Sequence, residues 1–128
     1  MKKIIVNEDS SLSCFEDSIE LNFQERSKIG MRYLDIWRNT NSSSISPAPD
    51  ELIFRIVEFL PNTKKILMHK TNSLDCAVVL EGNIRLVLEN QDIDLCQGDC
   101  IVQKSNPHAW VNFTSEPCKV LFFMKSQV

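Results

Sequence analysis

Between residues 52 and 124 the chain gathers Val, Ile, Leu and Phe into short runs and then breaks them. The runs are LIFRIVEFL, LDCAVVL, NIRLVLE, DIDLC, CIVQ, AWVNF and KVLFFM. Pro61 and Asn62 end the first; EGN, ENQD, QGD, KSNP and TSEP separate the later ones. In NIRLVLE, Ile84, Leu86 and Leu88 fall on one face, and Asn83, Arg85, Val87 and Glu89 on the other. A period of two is the mark of a strand with one buried side. Short strands at this spacing predict an all-β sandwich or barrel.

Upstream the pattern changes. GMRYLDIW mixes β-branched, aromatic and polar residues and predicts a further strand. RNTNSSSISPAPD, small, polar and proline-bearing, predicts a loop. Residues 7–28 are mostly polar with scattered Ile19, Leu21 and Phe23, which fits either a helix or an irregular arm. The organisation expected is an N-terminal arm over 1–28 and one β-barrel domain over 29–128, whose first strand lies within 29–40 and is followed by a loop over 41–50.

Composition narrows the function classes. With 128 residues, 43% hydrophobic and 24% charged, the chain can bury one ordinary core. A net charge of −3 with scattered Lys and Arg argues against nucleic-acid binding. MKKIIVNEDSS has too short an apolar run for a signal peptide, and no run reaches membrane-spanning length. Cys14, Cys76, Cys96, Cys100 and Cys118 are odd in number and form no CxxC pair. They are expected to be reduced core-fillers in a soluble cytoplasmic protein. Three glycines cannot build a phosphate loop, and no nucleophile sits in a characteristic local turn.

The candidate chemistry centres on His69 and His108, the only histidines. His69 opens HKTNSLDCAVVLEG, with Asp75 six residues on. His108 lies in GDCIVQKSNPHAWVN and shares a strand face with Trp110 and Asn112. The first stretch resembles the first cupin motif: His69-x-Thr71, then Asp75, then Gly82. The second resembles the second cupin motif, opened by Gly98 and carrying His108. The flanking stretches, over about residues 29–124, resemble small single-domain cupins.

That resemblance implies an all-β fold of the cupin type, a double-stranded β-helix or jelly-roll barrel with an N-terminal arm, paired as a homodimer. Gly82 and Gly98 are the expected turn residues. The full cupin site has three histidines and a glutamate; here Thr71 stands at the second histidine, Asp75 replaces glutamate, and the Pro-x-Gly of the second motif is absent.

The remaining set is His69, Asp75 and His108. Two imidazoles and a carboxylate suit Fe, Mn, Ni or Zn. The alternative is a metal-free pocket in which the histidines bond each other or Asp75. Thr71, Arg55, Gln103 and Trp110 are the candidate ligand contacts. Arg55 could bind an anion or lie on the surface. Trp110 could stack on a planar ligand or fill the core. Tyr33 and Trp37 are candidates for a subunit interface. The functions expected are a metal-dependent decarboxylase, isomerase or dioxygenase acting on a small oxygenated molecule, or a non-catalytic binder of such a molecule. A structural protein with a vestigial site ranks last.

Overall fold

The computed structural model describes residues 2–16, 24–26, 30–62 and 66–128. Among them there is no helix, and so none long and apolar enough to cross a membrane. β1 (Lys3–Val6) and β2 (Leu12–Glu16) form a hairpin. β3 (Gln24–Arg26), β4 (Met31–Arg38), β5 (Leu52–Phe59), β6 (Ser73–Glu81), β7 (Asn83–Leu88), β8 (Asp92–Cys96), β9 (Cys100–Lys104), β10 (His108–Val111) and β11 (Cys118–Ser126) make the rest.

One sheet has the order β3-β4-β5-β11-β6-β9 and a smaller one β10-β7-β8. Every pairing is antiparallel. The C-terminal strand β11 lies between β5 and β6, so the last element closes the middle of the large sheet.

The core sits between the sheets and follows the alternation of each strand. Ile53, Val57 and Phe59 on β5, Ala77 and Val79 on β6, and Val120, Phe122 and Met124 on β11 meet Ile84 of β7 and Leu95 of β8. Fully burying such a side chain stabilises by about 1.5–3 kcal/mol each.

Two expectations change. Residues 7–28, expected to be a helix or an irregular arm, contain β2 and β3, and β3 extends the large sheet beside β4. Cross-strand pairing with a formed neighbour overrides weak local propensity; residues 17–23 and 27–29 lie outside the described set. Cys118 is a buried core thiol, as expected, and its pKa is pushed up to about 11 by burial and, less, by the charge of Glu81. Cys96 and Cys100 are exposed instead, because they flank the β8–β9 turn.

Gly82 joins β6 to β7 with φ at +84°, and a Cβ there would stand 2.6 Å from the Pro117 carbonyl oxygen and 3.1 Å from Cys118 Cα. Gly98 has φ at +91° but no heavy atom within 4 Å of its missing Cβ. The two glycines therefore differ in kind. Gly98→Ala is expected to cost about 1 kcal/mol, from backbone strain alone. Gly82→Ala, which adds a backbone clash, is expected to cost more than about 2 kcal/mol. Urea denaturation of both variants checks this; equal losses would contradict it.

Candidate functional site

The two histidines lie far apart in sequence and are joined by backbone. The His69 N–H donates to the His108 carbonyl and the His108 N–H to the His69 carbonyl, both at 2.9 Å. This reciprocal bridge makes them directly opposed residues, whose side chains leave on one side. The imidazole centroids are 4.4 Å apart and tilted by 58°. His108 is 3% exposed, whereas His69 stands at the open side.

Each ring is oriented by its own chain. His108 Nδ1 lies 2.7 Å from the Asn106 carbonyl oxygen, and His69 Nδ1 lies 3.2 Å from that of Leu67. A carbonyl can only accept, so Nδ1 carries the proton and Nε2 keeps the lone pair in the neutral ring. Burial holds the His108 pKa below 6.5; its bond to Asn106 opposes this, the His69 ring adds to it and Asp75 partly offsets it. His108 is thus a neutral acceptor at neutral pH.

Asp75 is buried on β6, where its Oδ1 accepts from Ser73 Oγ at 2.6 Å. With that proton spent, Ser73 accepts from Thr71 Oγ1 at 2.9 Å. Thr71 therefore belongs to a hydroxyl relay that ends on the carboxylate. Thr71, Asp75 and both histidines line one cavity of about 340 Å³, between the sheets.

The rest of its wall is mostly apolar. Trp110 stacks on Phe59 at 5.9 Å and meets Phe122 edge-on at 5.5 Å, and all three line the cavity. A hollow of about 410 Å³ also opens along β7 and β8, but it holds no histidine and its charges, Arg85 and Asp94, pair with each other.

Arg55 lines the cavity but its fork is occupied. Nε lies 2.5 Å from Asp35 Oδ1, Nη2 3.3 Å from Asp35 Oδ2, and Nη1 donates to the Ile45 carbonyl at 2.7 Å. Tyr33 packs beneath the guanidinium, with its ring centroid 4.5 Å away, and is buried. Asp35 also receives Arg38 at 3.1 Å, and Arg38 reaches Glu51 through Nη2 at 2.5 Å and Nε at 3.1 Å. Glu51 further accepts from the Thr40 hydroxyl and from the Ala48 N–H at 3.0 Å. This balanced chain of two arginines and two carboxylates holds the 41–50 segment against the barrel. Ile45, Ser46 and Pro47 of that segment form part of the cavity wall.

Gln103 sits opposite Asp75 in the β6–β9 register, 4% exposed, and its Nε2 is a buried donor without a partner among the described residues. It is not part of the cavity wall.

The three expected metal ligands, His69, Asp75 and His108, line the same cavity. Among the described residues, no group of three or more His, Cys, Asp or Glu is placed to hold one ion. His69 and His108 meet; the Asp75 carboxylate is turned into the Ser73 bond. Two imidazoles alone fall one short of the three protein ligands usual at a catalytic zinc, and Asp75, with Oδ1 engaged by Ser73, is the third candidate donor in the cavity.

Sequence reasoning missed Asp35, Arg38, Glu51 and Ser73. A loop whose start and end each carry charge, as Arg38 and Glu51 do around 41–50, was the available signal for the first three; Ser73 gave none.

Comparison with known proteins fits this architecture. Cupin-domain-containing oxidoreductase fogC of Aspergillus ruber is 33% identical over 79 residues, covering 59% of this chain and 38% of that protein. Phomopsin biosynthesis cluster protein D of Diaporthe leptostromiformis is 40% identical over 65 residues, covering 50% and 34%. The matched segment thus spans little more than a third of these relatives' length.

Among solved structures, KdgF from Halomonas sp. superposes with a TM-score of 0.59 at 17% identity, covering 83% of this chain and 89% of that one. The polyketide cyclase RemF from Streptomyces resistomycificus superposes at 0.60 and 20%, covering 77% and 66%. These two likenesses concern the fold alone. The sequence profile described as Cupin domain matches residues 55–124, from β5 through β11 and so through both histidines and Asp75. The match takes in more than half of the 128 residues, and the chain belongs to the cupin domain family.

Proposed function

We propose that the barrel binds a small, neutral, hydroxyl-bearing molecule with an apolar or aromatic body. The observation that carries this is the pairing of two imidazoles whose Nδ1 atoms are spent on backbone carbonyls. What the polar end of the cavity has left to offer is acceptors: two Nε2 atoms and a carboxylate. Its one lining cation, Arg55, is engaged by Asp35 and Ile45. Acceptors call for a donor, and a phenol, enol or alcohol supplies one. A carboxylate ligand would meet Asp75 with no free cation to offset it. The apolar body would lie against Trp110, Phe59 and Phe122.

The test is calorimetric titration with matched aromatic pairs, such as 2-naphthol against 2-naphthoate. The alcohol is expected to bind at least about tenfold more tightly, the worth of one hydrogen bond and one unpaired charge. Equal or tighter binding of the carboxylate overturns this reading.

The names of the curated relatives support a second reading, oxidoreductase chemistry. It requires a redox-active group, for which His69, His108 and Asp75 are the candidate donors in the cavity. A full equivalent of transition metal retained by the wild type through desalting, and lost in His108→Ala, would favour it.

A further inference from the structure

Gln103 and Asp75 oppose each other directly across β9 and β6, and both are buried. Directly opposed residues of an antiparallel pair send their side chains to one face, with Cβ atoms about 4.5–5.5 Å apart. The carboxamide and the carboxylate are therefore neighbours, Asp75 in the cavity wall and Gln103 behind it.

Each holds something unspent. Gln103 Oε1 receives Asn106 Nδ2 at 3.5 Å, and this contact orients the amide, because the opposite rotamer would set donor against donor. Nε2 is left as the one buried side-chain atom without a hydrogen-bond partner among the described residues. Asp75 commits only Oδ1, to Ser73, and its Oδ2 receives no hydrogen bond from a described residue. An unpaired buried donor carries a standing cost that an apolar side chain of the same length would not.

We propose that Gln103 is the positioning residue for Asp75: its Nε2 takes up the carboxylate when Asp75 turns from Ser73 towards a bound hydroxyl. This role rests on the hydroxyl-bearing ligand inferred above. A buried carboxylate that leaves its one donor is stranded, and its desolvation opposes the turn. Gln103 offsets this by replacing the lost bond. One oxygen is then held by the carboxamide, and the other is free to accept the ligand's O–H. A carboxamide does this without adding charge, so the cavity gains no cation for a carboxylate ligand to pair with. The Asn106 that meets Oε1 also orients His108 through its carbonyl, so one side chain bears on both acceptors.

A double-mutant cycle and a titration test it. Gln103→Met keeps the length and removes the donor. Alone, it is expected to leave the urea midpoint of the free protein unchanged or higher, since it deletes an unpaired group. Ser73→Ala releases Asp75 in either background, and its effect on the Thr71 bond is common to both and cancels. With Gln103 present the carboxylate has a second donor. Ser73→Ala is therefore expected to lower the folding equilibrium constant at least about tenfold more in the Gln103→Met background. In the wild type, 2-naphthol is expected to shift the Gln103 side-chain amide proton resonances, and Gln103→Met to weaken its binding at least about fivefold.

Additive effects of Ser73→Ala and Gln103→Met overturn the pairing with Asp75. So does a marked loss of stability in Gln103→Met alone, which would mean that Nε2 is already bonded in the free protein. A wild type that binds 2-naphthol with those resonances unmoved, and a Gln103→Met variant that binds it as well, overturn the role in binding. A wild type without preference for 2-naphthol over 2-naphthoate overturns the hydroxyl reading instead, and the cycle still decides the pairing.

Discussion

Glu51→Ala is expected to destabilise the protein by about 3 kcal/mol or more, the usual cost of stranding one partner of a buried ion pair. Glu51 is fully buried and receives Arg38 bidentately, the Thr40 hydroxyl and the Ala48 N–H. Its removal leaves Arg38, itself mostly buried, with the Ser44 carbonyl and a single carboxylate, Asp35, which is shared with Arg55. The loss therefore runs the length of the chain of charges. The Arg38 bonds hold the Glu51 pKa down from 4.5 to about 2; burial opposes this, and Thr40 and Ala48 reinforce it.

The linkage sign follows. A depressed carboxylate contributes stability that is complete above about 4.5 and is lost as pH falls towards about 2. Wild type should therefore lose stability steeply across that window, and Glu51→Ala should show a shallower slope. Urea denaturation as a function of pH reads both effects. A loss below about 1 kcal/mol at pH 7, within the range of a surface pair, would contradict the account. The same variant should loosen the cavity wall at Ile45–Pro47, because Ala48 loses its anchor on Glu51.

His108→Phe is expected to weaken binding of a hydroxyl ligand by an order of magnitude or more while leaving the barrel folded. Phenylalanine keeps a ring in the wall and removes the Nε2 acceptor, worth about a tenfold change per hydrogen bond. The wild-type complex should also be acid-sensitive. Burial, first among the causes, holds the His108 pKa below 6.5, so the neutral ring dominates above that value. Protonation replaces the acceptor with a donor and adds charge beside His69. For folding, a depressed histidine contributes stability that is complete above 6.5 and is lost as pH falls through its folded value. Binding should fail in the same direction, and His108→Phe should remove that pH dependence. Calorimetry on both proteins at pH 7.5 and pH 5 checks this; an affinity that rises on acidification would contradict it.

Much of the fold was legible because its signals are local. Every β-run between Leu52 and Met124 became a strand, since alternation and turn residues report burial and chain reversal within a few positions. Gly82 and Gly98 were legible because positive φ leaves a residue signature.

The arm was harder. β2 and β3 form through partners elsewhere in the chain, and their own propensities are weak. The site was half legible. Its residues could be named, but which of them meet depends on pairings the sequence does not print. His69 and His108 come together through a two-residue bridge outside the regular ladders. Asp75 shares their cavity, yet Ser73, at the next inward position of β6, fixes its carboxylate. Arg55 lies in the pocket wall, as one reading held, but the β4 bulge brings Asp35 to it, and a bulge shifts register without a clear mark in composition.

This reading of the site, in which both rings spend Nδ1 on a backbone carbonyl and keep Nε2 for the cavity, is tested directly by ring-nitrogen NMR of ¹⁵N-histidine-labelled protein at pH 7.5. It predicts a protonated Nδ1 and a bare Nε2 on both rings, with the His108 Nε2 resonance moving when 2-naphthol is added. A His108 ring protonated at Nε2, or one unmoved by a ligand that binds, would contradict it.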